Sequence, residues 1–416
     1  MNIYIQLIKK ITQILNFFLC LFSLAYSFCS CLYVFFYLRK KNIDVFLSPE
    51  GGFGPTILKS IVLKCYYGKK NSDEYILVFG LNPRRHNPLV KNIFGHHFIW
   101  LALSSKYIPL SKINEKNKYL IFKFLNFLLI NFSDVKKIYD FNGYFCKQWN
   151  ISSFPQEEQN KYGSYKKIHK FIYENEKFIH FDLEFLEKYK NKIKFNNSKK
   201  KVGIFLRTKG LASQNNLSSY LRDSNKLENF KNTIEESVKK NWQVFISGDL
   251  EEFPEWLNKY EDMIIHRKKC KLTKNEFNLF VGLSVDCFIT TGSGPVAWKL
   301  IHPNKPHLVL DAYPLAFGWY KSTVAYKFLS DQKNANFLNI FQENKLIIDP
   351  PTPCRMSSQQ ELHSIVMEFL SDFEYGKISG YSPEELNLPA DSLLASGYAK
   401  VSKTWCKLQK ELIKNY

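Results

Sequence analysis

Short apolar runs alternate with amphipathic segments along most of the chain. In the first half, strands are predicted at 43–48, 75–79 and 136–139, with a helix over 57–65. In the second half, the alternation is more regular, with strands at 202–206, 242–246, 263–266, 287–290 and 307–310 and helices at 227–240, 275–283 and 296–301. This pattern is typical of parallel α/β sheets. We therefore predict an α/β protein with two Rossmann-like domains facing a cleft.

A polar segment separates the two sets of strands. Residues 189–201 are rich in Lys and Asn and lack apolar periodicity, so they are interpreted as an interdomain linker. The predicted parts are a membrane anchor at 1–41, a first domain at 42–195, and a second domain at 196–416 with closing C-terminal helices. The run Ser382-Pro383-Glu384-Glu385 predicts the start of one of those helices.

The N-terminal segment is long and uncharged. Residues 11–38 carry no charge and are bounded by basic residues at 9–10 and 39–41. As a helix they would span about 42 Å, more than the roughly 30 Å of a hydrocarbon core. A cleaved signal peptide is the alternative, but the run is too long and lacks a small-x-small cleavage site. We predict a single-pass transmembrane helix in the inner (cytoplasmic) membrane. Both flanks are positive, so the cytoplasmic side for the catalytic part is inferred from its chemistry.

A second apolar stretch lies at 119–132. Its sequence, YLIFKFLNFLLINF, favours a helix buried in the core of the first domain. The alternative is a helix that lies along a membrane surface.

Composition narrows the classes of partner. The 416 residues carry a formal net charge of +20, which favours anionic partners such as phospholipid surfaces or phosphate-bearing substrates. The lysines are scattered and no nucleic-acid motif is present, so nucleic acid is not an expected partner. The nine cysteines form no CxxC pair and no Asp-x-Asp occurs, so neither a metal nor a cofactor is expected.

A small-residue turn follows the strand predicted at 287–290. It consists of Thr291, Gly292, Ser293 and Gly294, and a short helical run comes next. Three interpretations compete. The turn fits G-x-G-x-x-A, with Asp311 as the acidic ligand of a dinucleotide, but too little helix lies before the next strand. It could be a tight turn that only packs. The favoured interpretation is a grip on the phosphates of a sugar nucleotide at a helix N-terminus.

Cations and small residues follow other strands of the second domain. Arg207 comes directly after 202–206, where its guanidinium could bind two phosphate oxygens, and Lys209 could assist. A structural ion pair is the alternative for Arg207. Arg222, beside Asp223, either orients a donor or forms a surface ion pair. Gly248 and Asp249, which end the strand at 242–246, are counted with the donor contacts.

The first domain offers a Gly-rich loop after its first strand. Glu50 is the carboxylate of that loop and is predicted to accept a proton from an acceptor hydroxyl. Gly52 and Gly54 of the same loop are counted with the donor contacts. The alternative bases are His302 and the pair at 96–97, for each of which a structural role is the favoured interpretation. For Glu50, the simpler interpretation is a solvated acid in a turn.

Three runs of the second half resemble a bacterial family of polysaccharide-type glycosyltransferases. They are VGIFLRTKG at 202–210, SSYLRDSNKLENFKNTIEESVKKNWQVFISGD at 218–249 and DCFITTGSGPVAWKLIHPNKP at 286–306. The family carries an h-x-R motif, an R-[ND] followed by a helix, and an h-h-x-[TS]-x-S-G turn in this order. The strand-end Arg and the Ser/Gly turn are more remotely similar to fucosyltransferase-like enzymes of the GT-B type. The similarity covers about 201–315 and the SPEEL run.

The resemblance implies a GT-B fold and metal-independent transfer of a sugar from a nucleotide-diphosphate donor. Arg207 would match the motif Arg that contacts donor phosphate, and Ser293 and Gly294 would match the phosphate-binding turn. Some GT-B enzymes carry a His in the first Gly-rich loop, where this chain has Pro55. The expected acceptor is lipid-linked or a surface polysaccharide. The alternatives are a sugar-nucleotide epimerase, a polyol-phosphate transferase, or a non-catalytic scaffold of a polysaccharide assembly complex.

Overall fold

The computed structural model describes most of the chain as two compact units. The described residues are 2–49, 53–81, 87–102, 112–150, 162–207, 225–248, 250, 252–260, 262–292, 294–312, 320–329, 354–377, 379–388, 395 and 397–414. The first unit is Met1–Ile151 and the second is Ser152–Tyr416. The predicted cleft between two domains stays a prediction.

Strands and helices alternate through both units. The helices are α1 Asn2–Leu38, α2 Phe53–Lys69, α3 Lys91–Phe94, α4 Lys112–Phe132, α5 Phe141–Trp149, α6 Tyr162–Glu174, α7 Glu187–Lys190, α8 Lys231–Lys239, α9 Arg267–Cys270, α10 Lys274–Ser284, α11 Trp298–Ile301, α12 Gln359–Glu374 and α13 Lys403–Lys414. The strands are β1 Asp44–Ser48, β2 Tyr75–Leu81, β3 Phe98–Ala102, β4 Lys137–Asp140, β5 Lys201–Leu206, β6 Gln243–Gly248, β7 Ile264–His266, β8 Cys287–Thr291, β9 His307–Ala312, β10 Thr323–Tyr326, β11 Phe328–Leu329, β12 Cys354–Arg355 and β13 Lys400–Val401.

The first unit is built on a parallel sheet of order β3-β2-β1-β4. One face packs on α1 and α4, with Val45, Val78 and Leu101 of the sheet buried against Val34 and Leu125 of the two helices. Burial of this kind is the main favourable term in folding, at roughly 1.5–3 kcal/mol for each large apolar side chain. The other face carries an aromatic cluster around Phe46, which stacks on Tyr139 at 4.9 Å.

The second unit is built on a larger parallel sheet of order β13-β10-β9-β8-β5-β6-β7. A core that includes Val202, Ile246 and Leu308 of the sheet extends to Phe230, Phe369 and other residues of the covering helices. Both faces of such a sheet are covered, which is why its strands appear in the sequence as continuous apolar runs. The prediction of an α/β fold with two parallel sheets is confirmed.

The N-terminal helix is part of the first core. By length and composition alone, Leu21–Leu38 of α1 could cross a membrane, and 33% of this stretch is buried inside the first unit. The helix at 119–132 is confirmed as α4. Its buried face includes Ile121, Leu125 and Leu129, which agrees with the favoured interpretation, and its opposite face is exposed.

The segment interpreted as a linker packs against the second sheet. Tyr189 and Ile193 are buried, and the Gln243 side chain of β6 donates to the Lys194 carbonyl oxygen at 2.8 Å. Upstream, the Lys321 ammonium lies 2.7 Å from Glu176. These contacts place 162–200 with the second unit, whereas the sequence indicates a boundary at 195. A polar run can pack when a few apolar residues and a side-chain amide fix its backbone. The functional assignment of the two domains stays a prediction.

Two helix predictions are shorter in the structure. The SPEEL run forms a capping box, in which the Ser382 hydroxyl accepts from the Glu385 amide at 3.2 Å, but the chain then makes only one turn. Asn387 has a φ of 53°, which ends the turn. The run 296–301 begins as a 3-10 turn at Gly294–Ala297 and continues as the single turn α11.

Close packing fixes α11 against α10. A Cβ atom at Gly282 would lie 2.3 Å from the Trp298 ring, and Trp298 is 2% exposed. Gly282 therefore allows the indole to approach the backbone of α10. The indole in turn holds the residues that follow the 291–294 turn.

We predict that Gly282→Ala destabilises the protein by about 1–3 kcal/mol, because the added methyl overlaps the indole. In an ordinary helix interior the same change stabilises by roughly 0.5–1 kcal/mol, so the sign is diagnostic. Urea unfolding measures the effect. In a double-mutant cycle with Trp298→Leu, the penalty should shrink; an equal penalty in both backgrounds would contradict the packing explanation.

Candidate functional site

The order of the second sheet defines where a ligand can bind. Strand β5 lies between β6 and β8, so the chain runs outward in one direction through β6 and β7 and in the other through β8 and β9. Ligands of open parallel sheets bind beyond the carboxyl ends of strands at such a reversal point. The reversal point here lies between β5 and β8.

Three predicted site residues meet at this point. Arg207 follows β5 directly, while Thr291 ends β8 and Gly292 follows it. Phe205 of β5 pairs with Thr290 of β8, which sets Arg207 and Gly292 level on adjacent strand ends. Neighbouring strands lie about 4.8 Å apart, so a guanidinium and the amides of the turn can reach the same anion.

A third strand end completes this edge. Gly248 ends β6 with a φ of 109°, and a Cβ atom there would lie 1.9 Å from the Leu206 carbonyl oxygen. Glycine is therefore required by the close approach of two backbones. The Asn278 side chain of α10 fixes the turn: its Oδ1 accepts from the Ser247 hydroxyl at 2.6 Å and from the Gly248 amide at 3.0 Å. Nothing in the sequence singles out Asn278 beyond its place in a predicted helix.

The carboxylate of Asp311 is occupied by protein donors. It is 1% exposed and accepts from the Asn225 amide at 2.6 Å and from the Ser357 hydroxyl at 2.7 Å. Burial raises the pKa of this carboxyl, and those hydrogen bonds together with nearby Lys327 oppose the rise. A side chain so engaged does not hold a ribose, so the dinucleotide interpretation of the turn is disfavoured. The Asp311 carboxylate instead ties β9 to the start of α12.

Behind the turn lies a buried polar relay. The His307 ring bonds to the Thr290 hydroxyl at 2.8 Å and to the Ser322 hydroxyl at 2.7 Å. Burial lowers the pKa of His307 well below its ordinary value, and Lys299 adds to the lowering. The neutral ring links β8 to the residue before β10, which stabilises the strand that carries Thr291.

Lysines after the turn have a similar structural character. The Lys299 ammonium of α11 donates to the Lys305 carbonyl oxygen at 2.5 Å. Burial lowers its pKa to about 7; Lys321 adds to the lowering and Glu176 opposes it. This contact ties α11 to the chain entering β9.

The first sheet has its own reversal point, between β1 and β4. Ser48 ends β1 and Asp140 ends β4, and Leu47 pairs with Asp140 in register. The Lys59 ammonium of α2 is buried and donates to the Ser48 hydroxyl at 2.9 Å. The Asp140 carboxylate caps α5 by accepting from the Gly143 amide at 2.7 Å. The sequence analysis did not select Asp140 or Lys59. Asp140 could have been found from its place directly after a predicted strand.

The predicted Gly-rich loop follows β1 in the sequence. Gly54 lies in the first turn of α2, and Glu50 and Gly52 lie outside the described residues. The other predicted site residues that lie outside them are Lys209, Arg222, Asp249 and Ser293.

The histidines named as alternative bases lie at the opposite edges of their sheets. His97 precedes β3, where its ring stacks on Tyr75 at 4.4 Å, and His96 is its neighbour. His302 follows α11 and precedes β9, and burial lowers its pKa to about 3. These positions are at the amino ends of strands, away from the carboxyl edges at which a base is expected. Within the described residues, no group of three potential metal ligands is brought together.

No family model matches the chain, and no curated protein matches it. Among solved structures, it is similar to the glycosyl transferase family 9 protein from Veillonella parvula DSM 2008, with a TM-score of 0.46, 10% identity, and coverage of 80% of this chain and 98% of that one. It is also similar to E. coli ADP-heptose LPS heptosyltransferase II, with a TM-score of 0.43, 10% identity, and coverage of 80% and 100%. For the wall teichoic acid polymerase TagF, the TM-score is 0.32 at 9% identity, with coverage of 90% and 88%.

At the far side of the second sheet, His266 ends β7 in an apolar setting. It is 5% exposed and its ring stacks on Phe253 at 4.2 Å. Within the described residues, neither ring nitrogen has a hydrogen-bond partner. Burial lowers the pKa of His266 to about 4, and Lys269, Lys268 and Arg267 add to the lowering. The ring therefore stays neutral in the folded protein.

We predict that His266 makes stability fall in mild acid. In the unfolded chain the His266 ring is protonated below about pH 6.5, whereas in the folded chain it is protonated only below its lowered pKa of about 4. The free energy of unfolding should therefore decrease through this window by up to about 1.4 kcal/mol per pH unit for this residue. Urea midpoints at pH 7, 6, 5 and 4.5 should show a smaller slope for His266→Phe, which keeps the stacking on Phe253. An unchanged slope would contradict the assignment.

Proposed function

We propose that the chain is a glycosyltransferase of the GT-B type at the cytoplasmic face of the inner membrane. It transfers a sugar from a nucleotide-diphosphate donor to a lipid-linked or surface-polysaccharide acceptor. The observation that carries the proposal is the meeting of Arg207 with Thr291 and Gly292 at the reversal point of the second sheet. A cation and the backbone amides of a small-residue turn at that edge suit a diphosphate.

The donor phosphates bind at this edge in the proposal. As the bond from the anomeric carbon to the diphosphate oxygen breaks, negative charge grows on the departing diphosphate. Arg207 stabilises that charge with paired N–H donors, which is the role that a metal ion fills in other transferases. The remaining proposed donor contacts are Gly248 at the end of β6, Lys209, Arg222, Asp249, Ser293 and Gly294.

The acceptor hydroxyl binds at the reversal point of the first sheet. Its oxygen forms the new bond to the anomeric carbon while its proton passes to the Glu50 carboxylate. Asp140 also lies at this edge, but its carboxylate caps α5, and this structural role explains its position without assigning it as the base. The buried Lys59 ammonium, 2.9 Å from the Ser48 hydroxyl, gives the edge a positive character that suits a phosphate-linked acceptor.

We predict that Arg207→Ala lowers the rate of sugar transfer at least about tenfold, because one charged transition-state contact is typically worth a few kcal/mol. Arg207→Lys should recover part of the rate, since it keeps the charge but loses the paired donors. Release of nucleotide diphosphate in the presence of acceptor is the measurement. The control is Lys194→Ala, which removes an exposed cation paired with Asp262 at 2.6 Å.

The same measurement separates the rival functions. A scaffold predicts that Arg207→Ala leaves polymer production intact, and that outcome would refute catalysis. An epimerase would convert donor without any acceptor and without releasing nucleotide diphosphate. A polyol-phosphate transferase would release a nucleotide monophosphate.

We predict that Glu50→Gln lowers kcat by at least about 100-fold, since the amide cannot take the acceptor proton. Asp140→Asn is the matched variant, because Asn caps a helix as well as Asp does. It should keep most of the activity and the same thermal stability. If Asp140→Asn loses activity and Glu50→Gln keeps it, the base is Asp140 instead.

Donor identity is best approached with the whole chain. Residues 23–38 belong to the first core, so a version that starts after the apolar helix would expose that core. A thermal-shift panel of nucleotide sugars on the detergent-solubilised full chain tests binding directly. Stabilisation by one sugar nucleotide and by its free nucleotide diphosphate is expected, and no stabilisation by any donor would refute the transferase proposal.

A further inference from the structure

The helix α1 has two halves with different surroundings. From Lys10 to Phe22, every described side chain is exposed, on all sides of the helix. From Ser23 to Leu38, one face is buried, with Cys31, Val34 and Leu38 fully covered. We call residues 10–22 the arm and residues 23–38 the docked half.

The docked half is held to the fold by specific contacts. The Ser30 hydroxyl accepts from the Ala102 amide of β3 at 2.9 Å. The Phe28 ring packs edge-on against Phe124 of α4 at 5.2 Å, and the Cys31 thiol lies 3.9 Å from the Ile121 carbonyl oxygen. A bilayer-spanning docked half would have to leave these contacts and uncover the apolar face of the sheet.

The apolar part of the arm is too short to span a membrane alone. Residues 11–22 measure about 18 Å as a helix, against about 30 Å for a hydrocarbon core. Length therefore allows insertion into one leaflet and not a crossing. The prediction of a single-pass helix uses the full uncharged run 11–38, of which the arm is only the first part.

The exposed apolar surface runs from the arm along the docked half, and the exposed C-terminal part of α4 lies beside the docked half. The most exposed large apolar side chains of α1 are Phe17 and Phe22 in the arm and Tyr33 in the docked half, which are 62%, 66% and 69% exposed. On α4, Ile130 and Phe132 are each 63% exposed. Two helices packed side by side thus present apolar and aromatic residues outward, a composition that suits the boundary between headgroups and acyl chains.

Positive charge lies at both ends of this surface. Lys10 is exposed at one end and Arg39 and Lys40 at the other. The Arg39 guanidinium lies 4.9 Å from the Phe36 ring centre. Cations beside interfacial aromatics attract anionic lipid headgroups. They would repel the same surface of a second copy of the chain, so a bilayer fits this surface better than self-association does.

The arm also has a direction relative to the sheet. Ser30 is level with Ala102, the last residue of β3, and Arg39 is level with the amino ends, where its carbonyl oxygen accepts from the Asp134 amide at 2.7 Å. Residues before Ser30 therefore extend past the carboxyl edge of the first sheet. That edge carries the loop that contains Glu50.

We propose that the arm and the exposed face of α4 insert into one leaflet of an anionic phospholipid bilayer, so that the protein is monotopic. Both chain ends and both units then lie on the same side of the membrane, in place of the predicted single-pass topology. The two helices then lie along the membrane, and the arm, which extends past the carboxyl edge of the first sheet, holds that edge beside the headgroups. The consequence for an acceptor carried on a lipid rests on the proposed function, but the insertion itself does not.

Vesicle sedimentation of the full chain tests the surface. The arm variant carries Phe17→Ser, Phe18→Ser and Phe22→Ser, and the α4 variant carries Phe127→Ser, Ile130→Ser and Phe132→Ser. Each should weaken binding to phosphatidylglycerol–phosphatidylcholine vesicles at least tenfold, and unmodified protein should bind phosphatidylcholine vesicles more weakly. The control is Tyr375→Ser, since Tyr375 is 74% exposed in the second unit. Melting temperatures verify folding, because every substituted side chain is exposed.

Unchanged binding in either variant would overturn the two-helix surface. An arm variant that converts a dimer to a monomer in vesicle-free buffer, while vesicle binding stays unchanged, would assign the surface to a second copy instead. Arg207→Ala should bind vesicles like the unmodified protein. If it also keeps full transfer, the proposed function fails while the membrane surface stands.

Topology is tested with tags at the two chain ends in sealed membrane vesicles whose cytoplasmic face is outward. Added protease should digest both tags of a monotopic protein. Protection of the N-terminal tag alone would establish a single-pass helix and overturn the proposal.

Discussion

The pairing of β5 with both β6 and β8 is the constraint on which the second unit depends. Parallel strands end at a common edge, so this pairing alone brings together residues that are more than 80 positions apart, Arg207 and Gly292. A slip of one residue would turn the strand's side chains to the opposite face, and the buried core on both sides of the sheet prevents it. The close approach of Gly248 to Leu206 fixes the same register from the other neighbour.

Buried polar contacts extend this register outward. The His307 relay joins β8 to the entry of β10, and Asp311 joins β9 to α12 through Ser357. Removing the partner of any of these groups would cost free energy, because a buried polar group left without a hydrogen bond is not compensated for the loss of its hydration. The apolar layers set the architecture, while these contacts select one arrangement of the strand ends. The edge is thus rigid in the places where a charged ligand would need fixed partners.

Much of this architecture follows from the sequence, because apolar runs ended by small or charged residues mark buried parallel strands and place Arg207 and Thr291 at a common edge. The strand order does not follow, so the sequence could not show that β5 lies beside β8. Nor could it show Asn278 reaching back to Gly248, since the contact joins a helix to a distant turn. The edge of the sheet at which each histidine lies could not be predicted either, because it depends on where each strand begins. The face of α1 that is buried could not be predicted, because apolar residues occur on all sides of the helix.

The docking of α1 has a consequence for synthesis. Its partners in the core lie 72 residues further along the chain at Ala102 and 90 residues further at Ile121. At roughly 5–20 residues per second, the ribosome takes several seconds or longer to deliver them. During that time the most apolar segment of the chain has nothing of its own to pack against. If the proposed insertion is correct, the bilayer would cover this segment during synthesis, and would thus serve as a surface for folding before it serves as a binding surface for the folded protein.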